Sequence, residues 1–162
     1  MIPVFSVVSS KSNMGKTTII CKIIKELKVR GYKVAIVKHH WGDFEIDYPG
    51  KDSWKHRKAG ADTVIISSPT KIASIKKVEE RTKLDDIIEK IENVDIIITE
   101  GYGFENKPKM EVIRKELSDK LASRENELFA IVTDFPLETK IPQFNFSQVE
   151  EIVNLIEEKF LK

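Results

Sequence analysis

The stretch "VFSVVSSKSNMGKTTIICKIIKELKVRGYKVAIVK", residues 4–38, contains an apolar run, a turn with one glycine, an amphipathic segment and a second apolar run. Residues 2–9 are mostly apolar and β-branched, which reads as a buried strand with Pro3 tolerated at its start. From Lys16 to Arg30 the residues Ile20, Ile23, Ile24 and Leu27 recur at helical spacing. Lys28 and Arg30 suit the negative end of that helix dipole, and Gly31 supplies the stop. "KVAIVK", residues 33–38, is a second buried strand. Strand, helix, strand in that order predicts a right-handed parallel crossover, and therefore an α/β fold.

The turn itself, "SSKSNMGKTT" at residues 9–18, ends like a phosphate-binding loop. In the pattern G-x-x-x-x-G-K-[ST] the first glycine is replaced here by Ser10. A turn between a buried strand and a helix N-terminus aims several backbone N–H groups and the positive end of the helix dipole at one spot. Gly15 lets the backbone approach a phosphate, Lys16 reaches the β- and γ-phosphates, and the Thr17 hydroxyl suits Mg²⁺. Ser10 replaces a residue that shapes the start of the turn, so no charged contact is lost. Lys11 stands where a variant of this loop in dimeric ATPases carries a lysine that reaches the partner's nucleotide; the other reading is a solvated or phosphate-attracting side chain.

Mg²⁺ at such a loop also needs a carboxylate at the C-terminal end of a neighbouring strand. Glu100, after "DIIIT", has that position, and Asp47 is the second candidate, in the polar segment after residues 33–38. Asp95 begins its strand and so belongs at the opposite edge of the sheet.

Further along, "DTVIISS" and "KIASIKKV" predict a hairpin around Pro69, and Thr82–Glu92 carries Leu84, Ile87, Ile88 and Ile91 on one helical face. "VDIIITEGYG" is a continuous apolar strand expected beside the first; "KMEVIRK", "LFAIVTD" and "IPQFNF" are further strands. Ser147 is expected to cap a terminal helix containing Val149, Ile152, Val153, Ile156 and Phe160, and Cys21 to pack as a small core residue. The fold expected is P-loop NTPase-like: a mostly parallel sheet flanked by helices, with an added β-hairpin, in one nucleotide-binding domain over residues 1–162.

Charged residues make up 33% of the chain, yet the formal net charge is +1. That balance gives no bulk electrostatic reason for a nucleic-acid or membrane partner. A single cysteine excludes an intrachain disulfide and a multi-cysteine zinc site, and suits a reducing cytoplasm. No signal-peptide pattern opens the chain, and no apolar run approaches the roughly 18 residues of a membrane span. His39, His40 and His56 lack further ligands at zinc-like spacing and read as polar loop residues or ligand contacts. Lys51, Lys55, His56, Arg57 and Lys58 form a basic cluster that is either a solvated face or a receptor for a second anionic ligand.

Taken together, these residues resemble the MobB family, the molybdopterin-guanine dinucleotide biosynthesis proteins B. "VKHHWGDFEIDYPGKDSWKHRKAGAD" is similar to that family's lysine-histidine segment, its aspartate before Pro-Gly, its Lys-Asp-Ser-Trp core and its Ala-Gly-Ala-Asp ending. "ITEGYGFENKPKMEVIR" resembles its Glu-Gly-aromatic turn and the following strand with lysine, glutamate and arginine; Gly103 stands where the family often has a lysine. The resemblance implies a GTP-binding accessory protein that assists a molybdenum cofactor guanylyltransferase in converting molybdopterin to its guanine dinucleotide. It further implies slow GTP hydrolysis at most and a homodimer. On this sequence Asn13, Gly15, Lys16, Thr17 and Thr18 would hold GTP phosphates, with Thr17 and Glu100 near Mg²⁺ and Asp47 as a γ-phosphate sensor. Asp134, ending "LFAIVTD", has the location and chemistry to accept hydrogen bonds from guanine N1–H and its 2-amino group. A pterin carrier or adaptor and a P-loop small-molecule kinase are the alternative readings.

Overall fold

A computed structural model describes all residues, Met1–Lys162. The chain divides into two compact units, one of residues 1–39 with 88–162 and one of residues 40–87.

In the first unit, β1 (Val4–Val8) leads through the glycine turn into α1 (Lys16–Val29) and then β2 (Val34–Lys38). The later strands are β5 (Ile96–Glu100), β6 (Lys109–Ile113), β7 (Leu128–Thr133) and β8 (Gln143–Phe144). They form one sheet in the order β2-β5-β1-β6-β7-β8, and every neighbouring pair is parallel. The expected crossover is therefore present, with β5 inserted between β1 and β2. Fully parallel sheets survive only when both faces are covered, which explains the continuous "IIIT" and "LFAIVT" runs.

Alternation along the strands gives the two faces different chemistry. One carries Phe5, Val7, Ile96, Ile98, Met110, Val112 and Val132 and packs with Ile19, Ile20, Ile23 and Leu27 of α1. The same core includes Ile152, Val153 and Ile156 of α4 (Val149–Ile156). The opposite phase buries polar groups: the Thr99 hydroxyl donates to Ser6 Oγ at 2.8 Å, and Lys109 and Glu111 lie in the same phase as Ile113.

Helix α1 ends as its sequence predicts. Gly31 has a φ of +91° and donates to the Lys28 carbonyl, while Tyr32 N–H returns to the Leu27 carbonyl, a Schellman closure that needs the left-handed residue. Cys21 is a correction: the stripe Ile19, Ile20, Ile23, Leu27 faces the sheet and turns residue 21 outward, so the thiol is exposed. Ser147 is another, since its hydroxyl donates to Asn145 Oδ1 at 2.6 Å and the helix starts two residues later, after Gln148.

The second unit contains α2 (Asp52–Lys58) and the antiparallel hairpin of β3 (Thr63–Ser68) and β4 (Lys71–Lys76), turned by Pro69 and Thr70. The helix expected over residues 82–92 is limited to α3 (Leu84–Ile88), because only Leu84 of its apolar face is fully buried and packing supports little more than one turn. No helix is long and apolar enough to cross a membrane.

Candidate nucleotide-binding site

The loop after β1 is shaped by two left-handed residues, Asn13 at φ 60° and Gly15 at φ 96°. At Gly15 a side chain is disfavoured by the left-handed backbone and by crowding: a Cβ there would lie 3.2 Å from both Arg114 Nη2 and Phe146 Cε1. Met14 between them is fully buried and anchors the turn in the core. Thr17 and Thr18 follow in the exposed first turn of α1, and no acidic residue occupies that turn to compete with an anion.

Lys16 Nζ donates to Ser9 Oγ at 2.6 Å, and the Ser9 hydroxyl donates onward to the Lys11 carbonyl at 2.6 Å. Burial lowers the Lys16 pKa; Glu100 acts to raise it and Lys38 to lower it further. A partly desolvated ammonium of this kind gains from a phosphate that restores its counter-charge. The Thr17 hydroxyl donates to Glu100 Oε1 at 2.7 Å, and Lys38 Nζ lies 3.4 Å from the same oxygen. Thr17 and Glu100 thus bring two hard oxygen donors together at the helix N-terminus, the donor type that Mg²⁺ prefers. Lys11 turns to the Leu117 carbonyl at 2.7 Å.

Three charges gather at this edge for one reason of register. Glu100 continues the Ile96, Ile98 phase of β5, Arg114 the Met110, Val112 phase beyond β6, and Asp134 the Ala130, Val132 phase beyond β7. Each is the first polar residue past two buried ones on the core face. Arg114 Nε donates to the Met14 carbonyl at 3.1 Å, its guanidinium lies 3.9 Å over the Phe146 ring, and its Nη1 is 3.7 Å from Asp134 Oδ2. Asp134 Oδ1 accepts the Lys115 N–H at 2.9 Å. Asp134 also lines a cavity of about 450 Å³ with Thr133, Phe135, Pro136, Gln143, Phe144 and Asn145.

The "EGYG" turn after β5 holds consecutive left-handed residues, Gly101 at φ 88° and Tyr102 at φ 59°. It places His39 edge-on to Tyr102 and Phe104, at 4.9 and 5.3 Å between ring centroids.

Asp47 belongs to the 40–87 unit. Its Oδ1 accepts from Ser53 Oγ at 2.9 Å and from Tyr48 N–H at 3.0 Å, while Oδ2 is buried without a hydrogen-bond partner. In the basic segment Arg57 pairs with Glu45, Lys55 with Asp52 at 3.6 Å, and Lys58 lies 5.6 Å over the Trp54 ring. These cations are therefore partly neutralised within their own unit.

Ser9, Lys38 and Arg114 are the site residues that motif reading passes over. Ser9 lies just before the pattern, while Lys38 and Arg114 stand in the segments that resemble the family but carry no role from the loop pattern. Lys109 and Glu111 of "KMEVIR" have structural work: Lys109 Nζ pairs with Glu127 Oε1 at 2.8 Å, and Glu111 accepts the Ala122 and Ser123 N–H groups at 2.6 and 2.9 Å.

A parallel sheet with a Gly-Lys-Thr loop between β1 and α1 and a carboxylate ending the neighbouring strand defines a P-loop NTPase-like fold. Residues 4–134 match the family model for molybdopterin guanine dinucleotide synthesis protein B, and the chain belongs to that MobB family. It is 30% identical to the molybdopterin-guanine dinucleotide biosynthesis adapter protein of Escherichia coli strain K12, over 98% of this chain and 93% of the relative. The adapter protein of Haemophilus influenzae is 28% identical over 93% of this chain and 85% of its own. A crystal structure of molybdopterin-guanine biosynthesis protein B superposes with a TM-score of 0.76 at 33% identity, covering 96% of this chain and 98% of that one. Bacillus subtilis MobB has the same fold, with a TM-score of 0.79 at 23% identity and 98% of each chain covered.

Proposed function

We propose that this protein is a GTP-binding accessory component of molybdopterin-guanine dinucleotide biosynthesis, acting beside a molybdenum cofactor guanylyltransferase in the cytoplasm. The observation that carries the nucleotide reading is the convergence of Lys16, Thr17 and Glu100 at the N-terminus of α1. In this reading Asn13, Gly15, Lys16, Thr17 and Thr18 hold the phosphates, and Asp134 reads the guanine edge. Mg²⁺ would be held by Thr17 and Glu100 together with phosphate oxygens, and would neutralise phosphate charge. Asp47, in the 40–87 unit, would act as a γ-phosphate sensor, as the family resemblance implies. The adapter names of the relatives support the accessory role.

No side chain at the loop is placed as a water-orienting group, so GTP turnover by the protein alone is expected to be slow. A rate in the ordinary enzyme range of roughly 1 to 1,000 per second would contradict the accessory role. The homodimer is supported by the apolar side chains that the 40–87 unit exposes, among them Trp41, Phe44, Ile65 and Ile72.

A second reading, a molybdopterin carrier, draws on the cavity of about 400 Å³ between α2 and β3, lined by Asp52, Ser53, His56 and residues 64–67. Calorimetric titration with GTP, GDP and ATP, with and without Mg²⁺, separates the two. Mg²⁺-assisted GTP binding that weakens at least about 100-fold in Lys16→Ala is expected. Pterin binding with no nucleotide binding would favour the carrier.

A further inference from the structure

Arg114 has no place in the loop motif, yet it meets both the phosphate loop and the Asp134 carboxylate, which the motif leaves unconnected. Its Nε donates to the Met14 carbonyl, its plane lies over the Phe146 ring, and its Nη1 stands at ion-pair distance, 3.7 Å, from the Asp134 carboxylate. Met14 is the residue before Gly15, so the first contact sets the phosphate loop. Asp134 lines the cavity beyond β7, so the third sets the only carboxylate among the residues lining it. Resting on the nucleotide reading above, we infer that Arg114 is the positioning residue for guanine selectivity, holding the Asp134 carboxylate in register with the phosphate loop.

The hydrogen-bond inventory makes this specific. An ionised carboxylate has about four acceptor positions. At Asp134 the Lys115 N–H takes one on Oδ1, and Arg114 faces Oδ2. At least one acceptor position then remains open on each oxygen, which matches the paired N1–H and 2-amino donors of guanine. Hypoxanthine offers only the first donor, and adenine places an acceptor where the first would be. The guanidinium is a planar fork, so a lysine at the same place keeps the charge while losing the simultaneous hold on Met14 and Asp134. Without that ion pair the Asp134 side chain is held only by the Lys115 N–H at Oδ1, and the selectivity of two fixed bonds falls toward that of one.

The test compares GTP and ITP affinity by calorimetry in the wild type, Arg114→Ala, Arg114→Lys, Asp134→Asn and the Arg114→Ala/Asp134→Asn pair, with thermal melts to check folding. The wild type is expected to prefer GTP by about tenfold or more, because a site built for a donor rejects the ligand that lacks it. That ratio should fall toward unity in Arg114→Ala and partway in Arg114→Lys, and Arg114→Ala should change it no further once Asp134 is already replaced. A role confined to shaping the loop would weaken GTP and ITP equally and leave the ratio intact, which overturns the inference while sparing the nucleotide reading. A wild type that binds neither nucleotide sinks both. Should Arg114→Ala not fold, the Arg114→Lys ratio decides.

Discussion

Isoleucine behaves oppositely in the two units. Ile96, Ile97 and Ile98 in the parallel sheet are fully buried, whereas Ile65, Ile66 and Ile72 in the hairpin are 64%, 47% and 73% exposed. Across residues 40–87 only Leu84 is buried. The first unit is thus held by its own core. The second is built from an isolated two-stranded hairpin and a seven-residue helix, elements that are marginal without further burial. Apolar composition alone therefore does not reveal which unit carries stability; strand pairing and coverage do.

The largest test of that contrast is Phe5→Ala. Phe5 is fully buried, edge-on to Phe129 at 5.3 Å and stacked on Phe160 at 5.5 Å. Its truncation should cost about 3–5 kcal/mol in denaturant unfolding, and a loss under about 1 kcal/mol would mean the core is not where stability resides.

Glu111→Gln asks whether the polar face of the sheet is equally demanding. The substitution keeps the shape but gives one of the two N–H groups an amide donor to face, for an expected loss of about 1–3 kcal/mol on the same measurement.

Acid should act on the first unit through depressed carboxyls. Glu127 is lowered chiefly by its hydrogen bond from Lys109, and Glu157 chiefly by one from Tyr32, with Arg30 adding to it. Both bind protons more weakly folded than unfolded. Their stabilisation is complete above the ordinary carboxylate range and is lost as pH falls through the depressed values. Melting temperature should therefore drop on acidification below about pH 4.5, less steeply in Glu157→Gln; equal slopes would remove Glu157 from the account.

The smallest effect belongs to Ile72→Ala. At 73% exposure it should shift the stability of dilute monomer by no more than about 0.5 kcal/mol. A loss that grows with protein concentration would instead show that this hairpin face is covered by a second copy.

Much of the architecture was legible because it is local. Hydrophobic period gave the strands and α1, Gly31 gave the helix stop, and Pro69 gave the hairpin. Gly-Lys-Thr marked the loop because a phosphate cradle needs those groups on adjacent residues. The misread positions are those where competing contacts decide: Asn145 rather than the helix end captures Ser147, and the facing of α1 exposes Cys21.

The sequence by itself determined the α/β alternation, the loop and the candidate carboxylates, since short-range spacing specifies them. Only the tertiary structure decided that Glu100, Arg114 and Asp134 share one edge and that Arg114 spans the loop and Asp134. Strand order and register are set by burying both faces of the sheet at once, and that condition joins residues 14, 114 and 134, which no local pattern relates.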